Sequence, residues 1–131
     1  MKIAMVMVVL ATACSGGLQD SELYGTYLAT YANGTEKLTL LQDGTFVQEV
    51  RMDGIDSAVI NSGAWQHSHP SNRPDLVDLK NCFAVSDGFG RIRADFAARR
   101  GGCSLVVERR FLVAGQLRLG PDDSWALWKV N

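Results

Sequence analysis

Neither sign of charge dominates this chain: 13 basic side chains face 14 acidic ones, for a net charge of −1 at pH 7. Proteins that grip nucleic acid by its phosphates carry a marked positive excess, so the balance argues against that class. Imidazole is scarce too, with His67 and His69 the only histidines, which leaves little scope for a histidine general base. There is no Gly-x-Ser-x-Gly elbow and no phosphate-cradling glycine loop. Gly88-Phe89-Gly90 lacks the third glycine and the following helix that such a loop needs. The cysteines form no Cys-x-x-Cys pair, which argues against the usual cysteine-based zinc sites. The chain therefore reads as non-enzymatic, with no cofactor implied. Also lacking is an apolar run of about 20 residues, the length a helix needs to cross a bilayer. The run from Ile3 to Leu10 falls well short of it. Helical periodicity is nearly missing after residue 22, so alternation with a period of two must carry the fold.

What is present begins at the N-terminus. Lys2 supplies a positive charge, Ile3 to Leu10 an apolar core, and Ala11-Thr12-Ala13 small residues ahead of Cys14. That order is the pattern of an export signal. Removing residues 1–13 leaves 118 residues, enough for one domain and one core. Should Cys14 be modified, Cys82 and Cys103 remain as an even pair. In an oxidising compartment such a pair is expected to form a disulfide, worth about 3 kcal/mol through a loop of about 20 residues. Two buried free thiols are the alternative.

Leu10-Ala11-Thr12-Ala13-Cys14 resembles the lipobox of bacterial lipoproteins, with Leu10 one position further from the cysteine than usual. The resemblance implies a diacylglycerol on the Cys14 thiol and a palmitate-type acyl chain on its amine. Chains of that kind make membrane anchoring essentially permanent. Ser15 implies an outer-membrane address facing the periplasm if the cell is Gram-negative. Ala11-x-Ala13 equally satisfies an ordinary secretory signal, which would release a soluble periplasmic or secreted protein. Residues 14–22, with Gly16 and Gly17, read as a flexible tether, and residues 23–131 as a single domain.

Within that domain, short alternating segments are separated by turn signals. Strands are predicted at 24–31, 37–41, 45–52, 55–60, 63–66, 76–83, 104–113, 116–119 and 124–130, and 91–100 leans towards strand through Ile92, Ala94 and Phe96. Asn33-Gly34, Asp43-Gly44 and Asp53-Gly54 read as tight turns, and 120–123 as another. Consecutive hairpins favour an up-and-down sheet, and closing it removes its edges. The expected fold is all-β, a small antiparallel up-and-down barrel of about eight strands, with an open β-sandwich as the alternative. Gly25-Thr26-Tyr27, Leu38-Thr39-Leu40, Asp43-Gly44-Thr45-Phe46, Gly63-Ala64-Trp65 and the ending Trp125 to Val130 resemble small lipocalin-like (calycin-type) bacterial lipoproteins. That resemblance implies a barrel with an apolar pocket and carries over no catalytic residue.

Three groups of side chains are candidates for function. Tyr27, Tyr31, Trp65 and Trp128 could line a pocket for a small amphipathic ligand or simply fill the core. Charge is segregated along the chain: residues 14–87 hold four basic against ten acidic residues, and 88–118 hold seven arginines against Asp95 and Glu108. Arg99, Arg100, Arg109 and Arg110 are the candidate patch for an anionic partner. His67 and His69, spaced to share one side of a strand, could bind a metal with Asp75 or Asp78. The surrounding Ser68, Pro70, Ser71 and Asn72 instead suggest two exposed loop histidines, and no metal is expected. The function expected is a membrane-anchored, non-catalytic protein-interaction module in the cell envelope, the alternative a carrier or sensor of a small ligand. No nucleic-acid partner is expected.

Overall fold

A computed structural model describes residues 18–109, 117–122 and 125–130. Cys14, the expected signal at 1–13 and Arg110 lie outside the described residues. After a one-turn helix α1 (Asp20–Leu23) come eight strands: β1 (Gly25–Tyr31), β2 (Gly34–Leu40), β3 (Thr45–Met52), β4 (Val59–Ser68), β5 (Leu76–Phe83), β6 (Arg100–Arg109), β7 (Leu117–Asp122) and β8 (Trp125–Lys129). Each strand pairs antiparallel with the next, and β1 closes on β8 through Tyr27↔Lys129 and Leu28↔Trp128. The fold is the expected up-and-down barrel.

Two-residue alternation explains the inside and the outside. In β1, Tyr27, Ala29 and Tyr31 are buried, whereas Leu28 and Thr30 face solvent. Leu38 and Leu40 of β2, Phe46 and Val50 of β3, Val77 and Leu79 of β5, and Leu105 and Val107 of β6 are in phase with them. Leu117 and Leu119 of β7 and Leu127 of β8 complete the lining. Each large apolar side chain removed from water in this way contributes about 1.5–3 kcal/mol. Cys82 and Cys103 sit at disulfide-bonding distance, with Cα atoms 6.2 Å apart on adjacent strands. They bracket an irregularity in β5 between Leu79 and Cys82, where Asn81 takes a φ of 61°.

The barrel has two distinct ends. The proximal end carries Leu18, α1, the β2–β3 turn and the β4–β5 loop. Leu23 is fully buried there, Tyr27 Oη donates to its carbonyl at 2.8 Å, and Trp65 Nε1 donates to the Leu41 carbonyl at 2.9 Å. The distal end carries the β1–β2 and β3–β4 turns and a long β5–β6 loop. That loop is pinned to Asn33: Asn33 Nδ2 donates to the Ile92 carbonyl at 3.1 Å, and Ile92 N–H donates to Asn33 Oδ1 at 2.7 Å.

Several local expectations change. The segment 91–100 is not a strand: it makes a single bridge, Ser86↔Ile92, and a 3-10 turn at Phe96–Ala98. Ile92 and Phe96 are buried while Ala94 is exposed; a four-residue spacing had passed for alternation. The segments 55–60 and 63–66 belong to one strand, β4, which begins only at Val59. Gly120 to Asp122, expected in a turn, extend β7. Within the expected tether, Leu18 N–H donates to Asp75 Oδ2 at 3.2 Å and Asp20 to Leu23 form α1, with Leu23 buried. The first hairpin turn is Ala32-Asn33, since Tyr31 pairs with Gly34. Gly34 is glycine for want of space and not for a positive φ. A Cβ there would lie 2.1 Å from the Arg51 carbonyl oxygen and 2.7 Å from Ile92 Cδ1.

This contact yields a prediction. Gly34→Ala forces strand β3 or the distal loop to move and lowers unfolding free energy by about 1–3 kcal/mol or more. Gly101→Ala, where a Cβ meets nothing within 4 Å, stays within about 0.5 kcal/mol of the parent. Urea denaturation of the two variants checks both.

Candidate functional site: a buried carboxyl, a cavity and an open strand edge

The alternation that builds the core also turns two polar residues inward. Glu36 lies in phase with Leu38 and Leu40, and Gln48 lies between Phe46 and Val50. Both are buried, at 3% and 2% exposure. Tyr31 Oη donates to Glu36 Oε1 at 2.9 Å, and Gln48 Nε2 donates to Glu36 Oε2 at 2.9 Å. Gln48 Oε1 accepts from the Phe83 N–H at 2.8 Å, and Nε2 also reaches the Phe83 carbonyl at 3.3 Å. The side-chain amide thus serves β5 as a neighbouring strand would. Asn61 Nδ2 donates to the Asn81 carbonyl at 2.6 Å, tying down the irregular stretch of β5. Among the described residues no buried side-chain nitrogen or oxygen lacks a partner. Burial pushes the Glu36 carboxyl above its ordinary range, with the Gln48 and Tyr31 hydrogen bonds opposing only part of that rise. Burial, and the Glu36 charge after it, raise Tyr31 strongly, so it stays a hydroxyl donor.

Beside this network lies a cavity of about 260 Å³. Glu36 and Gln48 form its polar side, and Leu79, Phe83, Leu105 and Leu127 form much of its apolar side. Among the described residues β7 contributes nothing to its lining. The pairing explains why. β7 meets β6 only from Val106↔Gly120 to Arg109↔Leu117. The next residue, which would face Leu105, is Pro121, and proline has no N–H to donate to the ladder. Strand β6 continues past that point, paired with β5 as far as Phe83↔Arg100. Among the described residues its segment from Arg100 to Leu105 therefore pairs with a strand on one side only, and Cys103, Ser104 and Leu105 of that segment line the cavity.

The aromatic residues expected at a pocket are placed elsewhere. Tyr27, Tyr31 and Trp65 are core side chains, at 0%, 5% and 8% exposure, with their polar tips bonded to protein groups. Trp65 also packs edge-on against Tyr24, ring centroids 5.9 Å apart. Trp128 sits on the outer face of β8 with the Arg118 guanidinium 5.8 Å from its ring. None of the four lines the cavity. The described arginines of the candidate patch are also spread along β6. Arg99 and Arg100 stand at the distal end, where Arg99 pairs with Asp95 at 2.7 Å and Arg100 lies 4.9 Å from the Phe83 ring centroid. Arg109 closes the other end of β6, about 30 Å away at the rise of a strand.

Of the two histidines expected to be exposed in a loop, His69 is so placed and His67 is not. His67 is part of β4 and its side chain is only 9% exposed, whereas that of His69 is 63% exposed. His67 Nδ1 lies 2.7 Å from Asp20 Oδ1 and its Nε2 lies 2.9 Å from Asp75 Oδ2; His69 Nδ1 contacts Asp75 Oδ1. Asp78 is not part of the group, since it accepts from Ser68 and from Ser104 on the outer surface. Burial opposes protonation of His67, but the Asp20 and Asp75 carboxylates outweigh it and raise the imidazole. Burial likewise opposes ionisation of Asp75, and its bonds to His67, His69 and the Leu18 N–H outweigh it and lower the carboxyl.

Sequence reasoning passed over Glu36 and Gln48. The signal was available, because each interrupts an apolar inward series at an in-phase position. No protein-family model, no curated protein and no solved structure matches this chain.

The sign of the Glu36 effect gives a second prediction. A raised native value means that the folded state keeps a proton which the unfolded chain has already released above about pH 4.5. Stability from this residue is therefore greatest in mild acid and falls as pH rises towards the native value. Glu36→Gln removes that slope. The stability of the variant relative to the parent should grow as pH rises above about 4.5 in urea titrations.

Proposed function

We propose that this protein is a non-catalytic interaction module of the cell envelope, anchored through Cys14, which receives an extended segment of a partner protein on the open half of β6. The observation that carries this reading is the unpaired edge from Arg100 to Leu105 lying over the cavity. An added strand gains affinity from backbone hydrogen bonds and specificity from pockets for its alternate side chains. An apolar side chain of such a strand fits the space beside Leu105 and Leu127. Arg99 and Arg100, at the start of the edge, favour a partner segment with a carboxylate near that end.

An anchor at Cys14 would lie near the proximal end. Leu18 is held at the proximal end, and four residues of chain reach at most about 14 Å. A lipidated Cys14 would place the proximal end at the membrane, so that the Arg100 end of β6 faces away from it. Phe89, Ile55 and Ile60, exposed at 88%, 57% and 65%, belong to the same distal half and would add apolar contact area.

A second reading, a carrier of a small amphipathic ligand, draws on the same cavity and on Glu36 as its one buried acid. Its volume of about 260 Å³ lies just below the usual range for ligand pockets, about 300–1,000 Å³, which favours a single inserted side chain.

The test is a photo-crosslinking residue at Gly102, an exposed edge position with room for a side chain, against a control at Thr30 on the outer face of β1. In intact cells Gly102 should capture one discrete protein that Thr30 does not, and Leu105→Trp, which fills the cavity, should lower capture at least about 10-fold. Equal labelling at Gly102 and Thr30 would sink the strand-addition reading. A small molecule retained through native mass spectrometry of the extracted protein would favour the carrier. The anchor is checked separately: an alkyne fatty acid fed to cells should label the parent and leave Cys14→Ser unlabelled.

A further inference from the structure

We infer that His67, His69 and Asp75 form a three-ligand site for a divalent ion of the zinc class at the proximal end of the barrel, with Asp20 as its positioning residue. One donor atom from each of the three residues lies within 4.8 Å of the other two. A tetrahedral ion with bonds of about 2.0–2.1 Å holds its donors about 3.3 Å apart, so the side chains need shift only slightly to enclose it. The fold brings them together for a simple reason. His67 and His69 lie two residues apart, on one side of the extended chain that ends β4. Asp75 directly precedes β5, whose first residue pairs back to the end of β4 as Ser68↔Leu76.

The site is built, not fortuitous in its surroundings. Asp75 is 7% exposed, and its backbone carbonyl is fixed by the Val107 N–H at 2.9 Å. Asp20 accepts the Nδ1 proton of His67 at 2.7 Å. With the Nδ1 proton held there, release of the Nε2 proton to an incoming ion would leave the Nε2 lone pair directed towards Asp75. A carboxylate behind a ligating histidine is the recurrent outer-shell arrangement of metal sites. Two imidazoles and one carboxylate suit zinc and its transition-metal neighbours, whereas magnesium and calcium take oxygen donors. Three protein ligands leave a fourth position, and the solvent exposure of His69 leaves it within reach of water or of a donor on another molecule. The inference stands apart from the strand-edge reading, since His67, His69, Asp75 and Asp20 belong neither to the edge from Arg100 to Leu105 nor to the cavity lining.

Zinc titrated into the metal-free full chain by calorimetry should bind at one ion per chain, with magnesium failing to compete. His69→Ala, at an exposed side chain whose loss leaves the barrel intact, should weaken zinc binding by more than the about 10–100-fold expected of Asp20→Asn. His69→Cys should restore binding and give the cobalt-loaded protein a thiolate-to-metal charge-transfer band absent from the parent. A hydrogen-bonded latch between α1 and the loop would produce neither the stoichiometry nor the band. Absence of zinc binding by the folded parent, unchanged binding by His69→Ala, or a His69→Cys protein without the band would each overturn the inference.

Discussion

A carboxyl group inside a barrel this small constrains everything around it. Glu36 cannot be left without partners, because an unpaired acid away from water costs several kcal/mol. Tyr31 and Gln48 meet that need from the two neighbouring strands, each at 2.9 Å. Gln48 is then fully engaged, since its amide must also satisfy the Phe83 backbone. That bond holds β5 where its register breaks, and the Cys82–Cys103 pair spans the same irregular stretch to β6. A fully apolar interior could have collapsed onto this region. A network of fixed length cannot, and the cavity lies beside it.

The same logic explains why the edge of β6 is open. Sheet closure normally leaves no strand with an unsatisfied side, and most of this barrel obeys. Among the described residues, one departure coincides with Pro121, at the position where the β6–β7 ladder would have to continue. An exposed edge is a liability unless it is covered, charged or used. This one begins with Arg99 and Arg100, charges that discourage pairing with identical edges. Charge at one end and a cavity beneath are what the proposed partner segment would use.

Much of the fold was legible because alternation is strict where one face is buried. The spans 45–52 and 76–83 coincide with β3 and β5, and the all-β closed architecture follows from consecutive hairpins. The signal failed where packing was not that of a sheet. Ile92 and Phe96 are inward from a loop, and Gly34 owes its identity to crowding by Arg51 and Ile92, which no local pattern announces. The candidate sites were less legible. Chemical rarity drew attention to tyrosine and tryptophan, but aromatic tips satisfied by backbone carbonyls are structural. The informative residues were the ordinary ones at in-phase positions, Glu36 and Gln48, and a proline in a segment that looked like a turn. The arginine cluster illustrates the converse error. Arg100 and Arg109 are close in sequence and far apart in space, because an extended strand separates residues faster than any other structure.

The proximal end brings the histidine group and the start of the described chain together. Asp75 receives Leu18 through its backbone N–H and His67 through its ring, and His67 in turn holds Asp20 of α1. The chain entering the barrel is therefore fastened to the same carboxylate that completes the ligand set. An ion bound there would compete with no hydrogen bond made by Asp20, since that bond uses the opposite ring nitrogen of His67. It would displace only the contacts that His67 and His69 make with Asp75, replacing two hydrogen bonds with three bonds to one centre. Binding and fastening are thus compatible, and occupancy of the site would tighten the hold of the barrel on the segment that leads back towards Cys14.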